Sequence, residues 1–82
     1  MDYLLTEHAE KRMTERSISW ELLDEALRRP TQVSYDAEGR VLIKKLYRKR
    51  RRERLLLIAG EVTNSTLKIV TVIDTSKVKK YL

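Results

Sequence analysis

RLLLIAGEV, residues 54–62, sets large apolar side chains next to one another from Leu55 to Ile58, with no polar residue between them. A strand that is apolar on both faces belongs in the interior of a sheet. The segments around it read as its neighbours. RVLIKKLYR at 40–48 precedes it as a strand. LKIVTVID at 67–74 follows it, rich in the β-branched residues that suit a pleated surface, with Asn64-Ser65 as the turn between them. Further upstream, TQVSYDAE at 31–38 is a short strand, and Asp36 to Gly39 supply the turn chemistry of a hairpin.

Before Pro30 the period changes from strand to helix. Leu5, Ala9 and Met13 form one stripe, and Thr6 is placed to cap that helix with its hydroxyl. The chain breaks near Ser17-Ile18. Ser19 then caps a second helix whose shared face is Trp20, Leu23, Ala26 and Leu27, with Arg28 and Arg29 suited to the negative end of its dipole and Pro30 stopping it. Helices gathered before strands predict an α+β fold: two N-terminal helices packed on one face of a four-stranded antiparallel sheet, the other face free. Residues 75–82 read equally well as an extended stretch or as one helical turn.

A chain of 82 residues predicts one domain, 1–82, with a small core and an open groove in place of a deep pocket. It contains no cysteine, which removes disulfides, thiolate nucleophiles and cysteine-bound zinc, and favours the cytoplasm. No apolar run approaches the ~20 residues that span a bilayer, and no signal sequence is evident. The net charge of +6 is unevenly spread. Lys44, Lys45, Arg48, Lys49, Arg50, Arg51, Arg52 and Arg54 crowd together, interrupted among charged residues only by Glu53. This asymmetry points to a polyanion, with nucleic acid ahead of an acidic protein segment and an anionic membrane last; a merely solubilising face would alternate in sign.

His8, the only histidine, stands one helical turn before Arg12 and two before Arg16, so the three share a polar stripe bordering the core. One reading is a general acid or base beside cations that hold a phosphate; the other is a packed or capping histidine. Tyr47, inside the basic run, reads either as a platform for a base or as a cross-strand packing residue. One histidine and no cysteine cannot build a zinc site, and no carboxylates pair for two-metal chemistry, so neither metal nor cofactor is expected. The tail offers Thr75, Ser76, Lys77, Lys79, Lys80 and Tyr81, either as a substrate-facing segment or as an addition to the cationic field.

HAEKRMTERSIS at 8–19 and DTSKVKKYL at 74–82 together resemble a prokaryotic family of small proteins, domain of unknown function 4258, thought to be distantly akin to RelE-type toxins. The likeness rests on His-Ala-x-x-Arg-Met at 8–13 and on Thr-Ser-Lys with Lys-Tyr at 75–81. Ser17 departs from it, standing where a glycine is common. The resemblance implies a RelE- or barnase-like fold and a metal-independent endoribonuclease, in which a ribose 2′-hydroxyl attacks the adjacent phosphorus. Its acid and base would be His8 with Lys77 or Tyr81, and Arg12 would stabilise the phosphoryl charge, with Arg16 in support. Arg16, Lys45, Tyr47, Arg48, Lys49, Arg50, Arg51, Arg52, Arg54 and Lys80 would bind RNA, including RNA on the ribosome, and an acidic antitoxin would cover the same surface. This scheme requires the tail to fold back beside the first helix. The alternatives are a non-catalytic RNA- or ribosome-binding module and a basic protein-interaction domain.

Overall fold

The computed structural model describes residues 2–82. In chain order it contains β1 (Asp2–Leu5), α1 (Glu7–Glu15), α2 (Trp20–Arg28), β2 (Gln32–Tyr35), β3 (Arg40–Lys49), β4 (Arg52–Thr63), β5 (Thr66–Thr75) and α3 (Val78–Tyr81). The strands form one sheet in the order β1-β5-β4-β3-β2. The expected four-stranded antiparallel sheet is therefore corrected to a five-stranded mixed one. β2 to β5 are antiparallel neighbours, and β1 adds a parallel edge on β5, pairing Tyr3 with Leu67 and Leu5 with Ile69. Leu5, expected in the helical stripe, lies in this strand. Its spacing to Ala9 and Met13 is helical by coincidence, because Leu5 and the stripe enter one core from two elements.

Thr6 ends β1 and starts α1. Its backbone N–H donates to the Ile69 carbonyl, and its hydroxyl accepts from the Ala9 N–H at 3.1 Å while donating to the Val70 carbonyl at 3.2 Å. Ser19 caps α2 in the same way, accepting from the Leu22 N–H at 3.1 Å.

β4 is the central strand, as its apolar run requires, and Leu55, Leu56 and Ile58 are fully buried in it. Its alternation divides the core. Leu56 and Ile58 join Ala9, Met13, Leu23, Ala26, Val41 and Ile43 beneath α1 and α2. Leu55 and Leu57 point to the opposite face, which the sequence reading left free. α3 packs there: the Lys44 ammonium, across the sheet from Leu57 and on its face, donates to the Tyr81 carbonyl. The tail thus takes the helical alternative, held over leucines that would otherwise meet water.

Two backbone features follow from the register. A bulge in β5 opposite Ala59 and Gly60 brings the Lys68 carbonyl to 2.5 Å from where a Gly60 side chain would begin, so only glycine fits. Between α1 and α2, Ser17 takes φ +53°, a left-handed conformation that strains an L-residue. Ser17→Gly is expected to raise stability by roughly 0.5–1 kcal/mol, measured by urea unfolding. A loss of stability would show that the hydroxyl contributes more than the backbone strain removes.

Candidate nucleic-acid interface

β3 and β4 pair to their ends, from Arg40↔Glu61 to Lys49↔Arg52, so the hairpin between them is closed by Arg50 and Arg51 alone. Both central residues have positive φ, 53° and 67°. Such a tight turn normally draws Asn-Gly, because other residues lose about 1 kcal/mol or more in that region. Just beneath it, Lys49 and Arg52 face each other on one side of the sheet, and like charges directly opposite repel. Arg48 points to the other side, opposite Glu53, and its guanidinium donates to the Arg51 carbonyl at 3.1 Å. Backbone and charge both oppose this arrangement in the free protein; a polyanion would relieve the charge half of it.

Below the tip, one cluster ties three strands together. Tyr47 on β3 stands opposite Arg54 on β4, and Asp74 on β5 reaches both. The Tyr47 hydroxyl donates to the Asp74 carboxylate, and Arg54 donates from Nε at 3.0 Å and from a terminal nitrogen at 2.9 Å. The side chains of Arg54 and Asp74 are only 28% and 11% exposed. Burial alone would raise the Asp74 carboxyl. The hydrogen bonds from Arg54 and Tyr47 and the charges of Arg54 and Lys49 outweigh it and hold the group below the ordinary carboxylate range. Burial first, then the neighbouring carboxylate, pushes the Tyr47 phenol up to about 12, so it stays a donor. The cluster is a clamp that fixes the hairpin base.

α1 begins beside Ile69 and Val70 and ends near this clamp. An open groove of about 320 Å³ runs between the α1–α2 turn and β3, with Arg16, Ser17, Ser19, Tyr47 and Lys49 among its walls. Arg16, Lys49 and Arg52 are exposed around the helix side of this end, and Arg48, Lys77, Lys79 and Lys80 are exposed around the other side.

The structure sorts the expected site residues into three groups. His8 and Arg12 lie on α1, against the face of the sheet opposite the one that holds α3 with Lys77 and Tyr81. α1 also starts at Val70, where its cap Thr6 is bound, several residues of β5 away from the strand end where the tail leaves. The structure does not bring these four together, and the tail does not fold back beside α1. Lys45, Tyr47 and Arg54 are occupied internally. Lys45 is 17% exposed and donates to the Arg29 carbonyl at 2.7 Å, closing the end of α2, with Glu25 3.7 Å away. Arg16 and Arg48 to Arg52 remain open to solvent, as does Lys80, whose ammonium lies 5.4 Å from the Tyr81 ring.

Two residues gained importance that the sequence did not give them. Asp74 has no charged neighbour in the sequence near it on β5, but the strand register sets it beside Arg54. Trp20 shares the helix face of the buried Leu23, yet it is 55% exposed. The stripe outruns its cover at that end, where Glu10, Thr14 and Ser17 line the neighbouring groove and do not close over the indole. Among the described residues, no three His, Cys, Asp or Glu side chains gather as metal ligands, and no helix is long and apolar enough to cross a membrane.

These features define a small α+β protein with one strongly cationic end. The chain belongs to the family described as Domain of unknown function (DUF4258), whose model matches residues 5–79 and so includes both end motifs apart from the last residues of the tail. No curated protein and no solved structure matches it.

Proposed function

We propose that this protein is an RNA-binding module that grips the phosphate backbone with the β3–β4 hairpin tip. The observation that carries the reading is the Arg50-Arg51 turn, where two cations occupy left-handed backbone positions above an opposed Lys49–Arg52 pair. Strain retained at an exposed tip is a sign of function, because nothing in the folded core requires arginine there. Phosphate contacts of this kind supply affinity and salt dependence, not sequence choice.

A distant kinship with RelE-type toxins would suit RNA as the ligand and an acidic antitoxin segment as a competitor for the same end. Cleavage by that route needs His8 beside Lys77 or Tyr81, and the two pairs lie against opposite faces of the sheet. Binding needs no such meeting, so we favour the module over the nuclease.

The test is anisotropy of a labelled single-stranded RNA in EDTA, with wild type and His8→Ala, followed by a gel for strand integrity. Equal, salt-sensitive binding with intact RNA is the expected result. RNA cut by wild type and spared by His8→Ala would instead establish the nuclease, and no binding at low salt would remove RNA as the ligand.

A further inference from the structure

We infer that Trp20 is a base-stacking platform beside the cationic tip, and that it makes the ligand single-stranded; this rests on the RNA-binding reading above. Trp20 is the only tryptophan, and the residue is 55% exposed at the first position of α2. A ring of this size is normally worth burying, and leaving it in water forgoes that gain. Its groove, about 290 Å³, neighbours the cationic groove, with Ser17 and Ile18 lining both. Cations that hold phosphates therefore stand next to an uncovered π-face that can take a base.

The division of charge fits two halves of a nucleotide. Arg16 and Lys49 border the first groove, whereas the second carries Glu10 with the hydroxyls of Thr14 and Ser17. A carboxylate repels phosphate but accepts hydrogen bonds from exocyclic amines of a base. The other exposed aromatics fit less well: Tyr3, on the edge strand β1 opposite Leu67, lies towards the end of the sheet away from the tip. Tyr35 is at the far end of the sheet, on the strand leading to Asp36 and Glu38, and the Tyr81 ring already has the Lys80 ammonium beside it on the opposite face. A duplex keeps its bases stacked inside and offers nothing to Trp20, while an unpaired strand can splay one onto it.

Because the tryptophan is unique, its fluorescence reports the site directly. The intact protein is titrated at low salt with a single-stranded RNA of ~12 nucleotides, a length within the usual range for such sites, and with the matching duplex. The single strand is expected to quench Trp20 in step with binding, and the duplex to bind without quenching. Trp20→Leu should bind the single strand roughly 5- to 150-fold more weakly, the range set by stacking one base, with Trp20→Phe retaining most of the affinity. Circular dichroism checks folding; should Trp20→Leu not fold, the wild-type quench and Trp20→Phe decide. Salt-sensitive binding with no quench and no loss in Trp20→Leu would overturn the platform and leave the RNA reading standing. Absence of binding by either RNA would overturn both.

Discussion

Replacing Arg50 by Asn and Arg51 by Gly is expected to make the protein more stable and a poorer RNA binder at once. Both positions have positive φ, and Asn-Gly is the sequence that such a turn prefers. Relief of two left-handed arginines should add about 1–2 kcal/mol to the unfolding free energy. The same change deletes two exposed cations, each worth up to about 1 kcal/mol against a phosphate, so affinity at low salt should fall ~10- to 30-fold. The slope of log affinity against log salt should become shallower by about 1.4, since each single-strand phosphate contact contributes about 0.7. Opposite signs for stability and binding are the point of the experiment. If the variant lost stability, or bound RNA as tightly as wild type, the turn would not be strained for the sake of its charge.

Asp74→Ala should give the largest loss of stability. It leaves the Arg54 guanidinium and the Tyr47 hydroxyl without their shared acceptor in a partly covered site. Breaking a buried pair from one side loses about 3–5 kcal/mol; with Arg54 still 28% exposed, about 2–3 kcal/mol is expected here, or ~10–20 °C in Tm. The pH dependence has a definite sign at each end. Because the folded Asp74 carboxyl is depressed, its contribution is complete above the unfolded value near 4 and is lost as pH falls through the lower folded value. The gap between wild type and Asp74→Ala should therefore close in acid. Tyr47 behaves in the opposite sense: with its phenol raised to about 12, its contribution holds below the unfolded value near 10 and disappears as pH rises from there towards 12. Thermal melts across pH, with the phenolate absorbance followed alongside, measure both limbs. A gap that persisted at low pH would show that the carboxylate charge is not what Asp74 contributes.

The antiparallel strands were legible because each carries its own signal: apolar runs, β-branched residues and turn residues between them. β1 was not, since four mostly exposed residues ahead of a helix cap show neither alternation nor a turn, and its pairing is with residues more than sixty positions away. The helix stripe of α2 was read correctly in period but not in extent. Periodicity reports direction from the axis, and it cannot say where the neighbouring elements stop covering the helix, so Trp20 shares the face of Leu23 without sharing its burial. The basic run was visible as charge. Its division into a clamped Arg54 and Lys45 and an open Arg48–Arg52 tip depends on strand register, which places Asp74 and the end of α2 within reach of only some cations. The pairing of the two chain ends suggested a shared site. α3 instead lies against β4 on the far face, the face of Leu55 and Leu57, where Lys44 holds the Tyr81 carbonyl.

The most direct test of the cationic end as the RNA interface is an amide-resolved NMR titration of the isotopically labelled protein with single-stranded RNA at low salt. Shifts concentrated at Arg16 to Trp20 and at Arg48 to Arg52, fading as salt is added, are the predicted result. Shifts centred on Tyr35 to Arg40 at the other end of the sheet, or none at any residue, would contradict it.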